Sequence, residues 1–200
     1  NTIVDGSSTA HTIATTNTPL GCSLTPFHPY GYSRYFDGGS AYLKVENDNS
    51  FTPTNKNFTI EAWIMPMTDS QDANATIFSR GSSTTNREFA LYMDENTLGF
   101  KIWNSSNTEK SVSYNTTDQD GDLFYTGTWY HVAGELSGSV SDRTMNLYIN
   151  GRRVATTTGS IDASYVNDTN SDGFIGGGAW ESNTRFIGYI TDLRLSFNSS

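Results

Sequence analysis

The sequence contains a single cysteine and no long apolar run, and each absence excludes a class of protein. Cys22 stands alone among 200 residues, so an intramolecular disulfide is impossible. That composition is typical of a reducing compartment, or of a particle that does not use disulfides. No stretch approaches the 18 consecutive apolar residues that mark a membrane-spanning helix. We therefore expect a domain that folds around its own hydrophobic core and does not insert into a membrane.

Basic residues are also scarce. There are 12 Lys and Arg against 21 Asp and Glu, which gives a formal net charge of −9. Such a chain is repelled by phosphate backbones and by anionic lipids, so we expect neither nucleic acid nor a membrane as a partner. The first residues lack an initiator Met and the charged start and apolar core of a signal peptide. We expect the chain to be a processed piece of a larger protein.

Amphipathic helical patterns are missing, and apolar and polar residues instead alternate with a period of two. This alternation is typical of strands that have one face in a core. It predicts strands at 32–37, 41–46, 58–66, 75–80, 88–94, 98–103, 110–115, 129–137, 144–150, 153–158, 172–176 and 186–197. The pair Asn150-Gly151 predicts a type I′ hairpin turn, because both residue types tolerate a positive φ.

The alternation also assigns the faces of the strands. We expect the following side chains to lie between two sheets: Phe58, Ile60, Ala62, Ile64, Phe89, Leu91, Met93, Phe100, Ile102, Leu147, Ile149, Leu193, Leu195 and Phe197. Trp63 and Trp129 lie within apolar strand segments, so we predict that both are buried and pack in the core.

Five segments carry a resemblance to a known family. They are YFDGGSAYLKV (35–45), FTIEAWIMP (58–66), WYHVAGEL (129–136), LYINGRRV (147–154) and FIGYITDLRL (186–195). Their order and spacing resemble the laminin-G-like, concanavalin-A-like jelly-roll superfamily. The resemblance implies an all-β fold, a two-sheet antiparallel β-sandwich, with a jelly-roll domain at 30–200. The turn-rich residues 1–29 are expected to pack on the edge of a sheet.

The N-terminal third has a narrower likeness. The segments DGSSTAHTIATTNTP (5–19) and FHPYGYSRYFDGG (27–39) resemble the opening of jelly-roll domains in structural proteins of tailed phages. This resemblance implies a virion-surface module, in capsid decoration or a tail fibre, that binds glycans or a cell-surface receptor and contacts other virion subunits. Two alternatives stay open: a purely structural domain packed between virion subunits, and a carbohydrate-binding module of a secreted, extracellular bacterial protein.

The residues of a glycosidase are not found. Retaining enzymes need two carboxyl groups about 5–5.5 Å apart, whereas Glu61 is the lone acid in its strand and the adjacent Asp94 and Glu95 fall in a turn. Cys22 and His28 are close in sequence, but nothing orients them as a nucleophile and base. His131 matches the W-x-H-V-A pattern of the resembled family and is interpreted as structural. We predict that the protein is not an enzyme.

Sugar recognition needs aromatic faces for C–H groups and planar polar groups for hydroxyls. Two places offer both at strand ends or in loops: the pair Trp103-Asn104, and the segment that contains Trp180, Asn183 and Arg185. We predict that these residues line a ligand site at the exposed rim of the sandwich. For Trp180 the alternative is a lid that packs over the core.

The one cofactor expected is a structural Ca²⁺. Asp168, Asn170 and Asp172 place oxygen ligands at alternate positions before a glycine, as calcium loops do, although a polar turn explains the same pattern. The family resemblance separately implies a calcium at the sandwich edge held by Asp192, with Asp37 as its partner. The alternative for Asp192 is an aspartate at a strand start that binds backbone amides.

Overall fold

The computed structural model describes most of the chain in fourteen strands and one short 3₁₀ turn. The description covers residues 3–27, 29, 31–51, 53, 56–116, 124–139, 141–157, 161, 170–178 and 184–199. The strands are β1 Ile13–Thr16, β2 Leu20–Cys22, β3 Ser33–Asp37, β4 Tyr42–Val45, β5 Lys56–Pro66, β6 Ala75–Ser83, β7 Asn86–Asp94, β8 Thr97–Trp103, β9 Glu109–Asn115, β10 Tyr130–Ser139, β11 Asp142–Ile149, β12 Arg152–Thr156, β13 Gly173–Ile175 and β14 Ile187–Ser199. The 3₁₀ turn is Asn49–Phe51.

The strands form two antiparallel sheets of seven. Sheet A has the order β1-β4-β13-β6-β7-β8-β9, and sheet B has the order β12-β11-β10-β5-β14-β3-β2. The neighbours in both sheets are often far apart in sequence, as in a jelly roll. The all-β sandwich predicted from the period-two alternation is therefore confirmed. No helix in the described part of the chain is long and apolar enough to cross a membrane.

The inner faces of the two sheets meet in one core. Phe58 of β5 packs against Phe89 of β7 and Phe100 of β8, with ring centroids 4.8 and 5.9 Å apart. The same Phe100 ring lies over Gly134 of β10, where an added Cβ would come within 2.6 Å of it. The face assignments of β5, β7, β8 and β11 are confirmed, since their inward residues are at most 4% exposed.

The sandwich is less tightly closed along β14. Leu193, Leu195 and Phe197 face inward as expected, yet they are only half-buried. They line an open groove of about 850 Å³ between the sheets, whose opposite wall includes Leu43 and Val45 of β4. The residues that precede β1 also line this groove.

Turns and edges follow local chemistry. Asn150 and Gly151 have φ values of 49° and 78°, so the expected type I′ turn between β11 and β12 is confirmed. The N-terminal residues contribute an edge strand to each sheet, because β1 pairs with β4 and β2 pairs with β3. β1 overlaps HTIAT (11–15), a strand-like segment that the sequence predicts at a sheet edge, whereas β2 has no counterpart among the predicted strands.

Candidate functional site

A row of aromatic side chains covers part of the outer face of sheet B. Each residue of the row that lies on a strand alternates with a core residue, as Trp63 does between Ala62 and Ile64, so its side chain points away from the core. We call the row the aromatic strip; it consists of Phe27, Tyr35, Trp63, Trp129, His131 and Tyr189. Every member is half-buried or exposed.

Trp63 is the centre of one half of the strip. The edge of the Phe27 ring meets Trp63 at a centroid distance of 5.7 Å. His131, opposite Trp63 in the β5–β10 register, lies 5.5 Å from it on the other side. His131 Nε2 is 3.1 Å from Glu61 Oε2, so a polar pair stands beside the indole.

Tyr189 of β14 is the centre of the other half. It stacks at 4.9 Å on Tyr35, its partner in the β14–β3 register, and lies 6.4 Å from Trp129. Desolvation, with Cys22 and Tyr35 nearby, raises the pKa of Tyr189. Its hydroxyl therefore stays protonated at neutral pH and can donate a hydrogen bond.

The strip continues into exposed apolar residues at the β2 and β3 edge of the sheet. Phe27 is 42% exposed and Leu20, opposite Tyr35 in the β2–β3 register, is 68% exposed. Contiguous exposed apolar surface of this kind marks interaction sites on soluble proteins. The arrangement offers flat rings for stacking, with a carboxylate and an imidazole at hydrogen-bonding distance from each other.

The prediction that Trp63 and Trp129 pack in the core is wrong. Both lie on the outer face of sheet B, because the residues next to them in sequence, Ala62 and Tyr130, point inward and are buried. Burial was predicted from the apolar character of the two segments and not from the alternation of their residues. The alternation alone, counted from the buried residues, places both indoles outside.

The expected exposure of Trp103 at the rim is also wrong. Its side chain is 3% exposed and lies on the outer face of sheet A, at the end of β8. The Arg87 guanidinium covers its ring at 5.4 Å, and it borders a small pocket with Asn74 and Tyr92. Lys101 caps Tyr92 in the same way, at 4.5 Å. These rings are already occupied by the protein's own cations.

The neighbouring polar residue, Asn104, organises a turn. Its Oδ1 accepts hydrogen bonds from the backbone N–H groups of Ser106 and Thr108, at 3.0 and 2.8 Å. These two hydrogen bonds give Asn104 a structural role at the end of β8 that requires no ligand.

Arg185 lies on the outer face of sheet A, where its guanidinium stacks at 5.0 Å on the Tyr42 ring. Its Nε and Nη1 are buried and have no hydrogen-bond acceptor among the described residues. Trp180 and Asn183, which were predicted with it, lie outside the described residues. A ligand role for Arg185 stays a prediction.

The expected calcium ligands are spread over the molecule. Asp172 accepts the Asn47 N–H at 2.9 Å and pairs with Lys44 Nζ at 2.8 Å, and Asn170 adopts a positive φ of 52°. Asp168 lies outside the described residues. Within the described part of the chain, no three Asp, Glu, His or Cys side chains come together as a metal site.

The two aspartates from the resemblance also have internal partners. Asp37 Oδ1 accepts the Gly39 N–H at 2.8 Å, and Asp192 Oδ2 lies 2.8 Å from Arg194 Nη2. Among the described residues, neither carboxylate belongs to a group of three side chains that could hold a metal ion. Calcium binding stays a prediction.

Comparison with known proteins agrees with this architecture. A family model described as the concanavalin A-like lectin/glucanases superfamily, Laminin_G_3, matches residues 37–198. A comparison with curated protein sequences gives no significant match.

The similar solved structures include binding domains of botulinum neurotoxins. The binding domain of neurotoxin DC in complex with rat synaptotagmin II has a TM-score of 0.71 and 17% identity, over 98% of this chain and 45% of that one. A type C structure, described with an interaction with two ganglioside molecules, has a TM-score of 0.67 and 17% identity over 98% and 45%. The serotype G domain gives 0.70 and 15% over 96% and 44%. The chain thus spans less than half the length of these proteins, and at these identities the likeness shows the fold alone.

Proposed function

The chain belongs to the concanavalin A-like lectin/glucanases superfamily, and we propose that it recognises glycans, or a glycan-bearing cell-surface receptor, through the aromatic strip on sheet B. The observation that carries the proposal is the strip itself: neighbouring rings left accessible on the outer face of a rigid sheet. Trp63 presents an indole face beside the Glu61–His131 pair. A sugar could stack its C–H groups on the ring and bond its hydroxyls to the pair.

The expected affinity of one site is weak. The strip is an open surface, not a deep cleft, so a bound sugar keeps part of its surface in water and little area is buried. Attachment would then depend on many copies, because linked sites raise the overall avidity by about 10²–10⁴.

The proposed setting is the surface of a virion, as a decoration or tail-fibre module of a tailed phage. Support comes from the likeness of residues 27–39 to such modules. The neurotoxin binding domains of the same fold, one in complex with rat synaptotagmin II and one linked to an interaction with two ganglioside molecules, are consistent with a role in recognition. A carbohydrate-binding module of a secreted bacterial protein is the alternative setting for the same chemistry.

The proposed role does not include cleavage of the bound glycan. Glu61 pairs with His131, and Glu135, on the same face, accepts hydrogen bonds from Asn146 and Tyr148 at 2.9 and 2.8 Å. Both carboxylates therefore have partners within the protein, whereas glycoside hydrolysis requires two carboxyl groups placed to flank the sugar bond.

A multimerised domain probed on a glycan array and on host cells tests the proposal. Trp63→Ala should lower binding tenfold or more, which corresponds to about 1.4 kcal/mol. Tyr42→Ala is the matched control, because it removes a half-buried aromatic from the outer face of the other sheet. Arg185→Gln, measured in the same assay, tests whether the rim site predicted from the sequence contributes to binding.

Each outcome assigns the surface. Loss of binding in Trp63→Ala alone supports the strip, whereas loss in Arg185→Gln alone places recognition on sheet A and overturns the proposal. If neither the unmodified domain nor any variant binds, the exposed apolar residues Leu20 and Phe27 favour the other candidate, a structural domain whose sheet B packs against a neighbouring virion subunit. Imaging of the intact particle would then show that face covered.

A further inference from the structure

Three side chains from two distant segments form a hydrogen-bonded chain at one end of the groove between the sheets. Asp5 Oδ2 lies 2.5 Å from His11 Nδ1, and His11 Nε2 lies 2.7 Å from Ser50 Oγ. Asp5 and His11 precede β1, while Ser50 belongs to the 3₁₀ turn after β4. All three residues line the groove of about 850 Å³.

The aspartate determines which nitrogen of the imidazole carries the proton. Asp5 also accepts hydrogen bonds from the backbone N–H groups of Ser7 and His11, each at 2.8 Å. Burial alone would raise the pKa of Asp5, but these donors outweigh it and hold the pKa well below its ordinary value. An ionised Asp5 places the proton of neutral His11 on Nδ1, so Nε2 is left as the acceptor of the Ser50 hydroxyl proton.

The surroundings hold the imidazole in place. The ring is 9% exposed and packs on Phe51, with centroids 4.2 Å apart. Asp48 Oδ1 lies 3.8 Å from Nε2, so a second carboxylate faces the nitrogen that would take up a proton. Ser50, in contrast, is exposed. An ordered base next to an accessible hydroxyl is the arrangement that activates a serine.

From this geometry we propose that Ser50 is an activated nucleophile that is acylated by esters with an apolar acyl group, with His11 as the general base and Asp5 as the positioning residue. The arrangement has the order of roles found in serine hydrolases, which are recognised by geometry and not by sequence position. Asp5 and His11 lie outside the residues matched by the family model, 37–198. The site is separate from the aromatic strip and independent of the glycan proposal.

The reaction follows from the positions of the atoms. Ser50 Oγ bonds to the acyl carbon while its proton passes to His11 Nε2. The bond from that carbon to the leaving oxygen breaks, and the leaving oxygen takes the proton from Nε2. The products are an ester of Ser50 and a free alcohol. A water molecule then gives a proton to His11 Nε2 and its oxygen bonds to the acyl carbon; the bond from that carbon to Ser50 Oγ breaks, and Nε2 returns the proton to Oγ, so that the acid and the serine are released.

The acyl group is expected to be apolar because the groove beside Ser50 is. Its wall near the serine includes Val45, Phe51 and Phe78, and it continues along Leu195 and Phe197. Each methylene of such a chain that is removed from water favours binding. Longer acyl chains should therefore react faster than acetyl groups.

Slow turnover is also expected. The Ser50 N–H donates to Asp48 Oδ1 at 2.8 Å, and the Phe51 N–H donates to Asp48 O at 3.0 Å. Neither amide next to the nucleophile is thus free to stabilise an oxyanion, and each such donor contributes about 10²–10³ in rate. Stoichiometric acylation by activated esters is the expected observable.

The test uses the unmodified protein first. A fluorophosphonate probe, and in parallel p-nitrophenyl acetate and octanoate, are incubated with the chain, and the modified residue is mapped by mass spectrometry. Modification of Ser50, with octanoate at least tenfold faster than acetate, supports the proposal. Modification that is spread over several serines, or absent from Ser50, overturns it, and this readout needs no variant to fold.

Variants then separate the roles. His11→Gln should slow the modification of Ser50 by about 10²–10⁴-fold, the usual contribution of a general base, while Ser111→Ala, an exposed serine on β9, is the matched control. Asp5→Asn should slow the modification because no carboxylate holds the His11 proton on Nδ1, and Asp5→Glu, which keeps a carboxylate, should restore part of the rate. A rate that is unchanged in His11→Gln would show that the three residues only fasten the N-terminal segment.

Discussion

Breaking the buried ion pair between Arg80 and Glu88 should be among the most damaging single changes to this fold. The two side chains are 1% and 0% exposed, and Arg80 Nη1 lies 2.5 Å from Glu88 Oε2. The guanidinium also donates to the carbonyl oxygens of Ser171 and Phe51, at 3.0 and 2.9 Å, and to Asn47 Oδ1 at 2.7 Å. One cation thus ties together β6, β7, the 3₁₀ turn and the segments next to β4 and β13.

The magnitude follows from burial. Glu88→Gln keeps the shape of the side chain but removes its charge, so the buried Arg80 guanidinium loses its ion-pair partner. Breaking one side of a buried pair costs about 3–5 kcal/mol. In a domain of this size each kcal/mol lowers Tm by about 2–4 °C, so we expect a fall of about 6–20 °C.

Two comparisons make the test specific. Replacing both partners, as Arg80→Met with Glu88→Leu, should restore much of the lost stability, because an apolar pair needs no compensating charge. Arg194→Ala removes a largely exposed pair with Asp192 and should change the free energy of unfolding by about 1 kcal/mol or less. Urea titration and thermal melting measure all three. If Glu88→Gln costs no more than Arg194→Ala, the reasoning about the buried charge is refuted.

Three further perturbations have defined outcomes. Gly99→Ala should lower the stability by about 1–3 kcal/mol in urea titration, because an added Cβ would lie 2.2 Å from the Tyr92 ring, which must shift. Burial alone would raise the pKa values of Asp5 and Asp172, but hydrogen bonds and ion pairs hold them below their ordinary range. The stability that these two carboxylates contribute is therefore present above about pH 4 and is lost as the pH falls towards their pKa values in the folded protein. Melting curves between pH 5 and 2 should show this loss. If the loop that contains Asp168 binds Ca²⁺, chelation should lower Tm and Asp168→Asn should abolish that response.

The strands and the inner faces could be predicted because they depend on local pattern. Every strand expected between residues 32 and 197 is present, with ends that differ from the prediction by at most three residues. Phe58, Ile60, Ala62 and Ile64 fall on one side by alternation alone, and the sandwich buries that side. Register and face are both set by the period of two, so one observation decides them together.

The outer faces were harder to predict because residue type misleads there. Trp63 and Trp129 are apolar, and composition suggests the core, yet their positions in the alternation place them outside. The prediction for Trp103 was wrong in the opposite direction. Trp103 lies on an outer face, as expected for an accessible ring, but it is buried beneath Arg87. Whether an outward ring is covered depends on which distant side chain reaches it, and alternation carries no information on that.

The Asp5–His11–Ser50 chain could not be predicted for a related reason. His11 and Ser50 are 39 residues apart in the sequence. They meet because β1 pairs with β4, which brings the segment before β1 next to the turn after β4. The short strand β1 shows little alternation, and without it the sequence gives no reason to connect a histidine near the start with a serine in a turn.

The two outer faces differ in how their aromatic rings are used, and this difference supports placing recognition on sheet B. On sheet A, cations of the chain cover the rings of Tyr42, Tyr92 and Trp103. A sugar that stacked there would first have to displace a cation–π contact worth about 0.5–2 kcal/mol. Among the described residues, no Lys or Arg side chain covers the rings of the aromatic strip, where Trp63 packs against Phe27 and His131. A ligand on sheet B therefore gains stacking without displacing a cation–π contact, and Trp63 is where that gain should be measured.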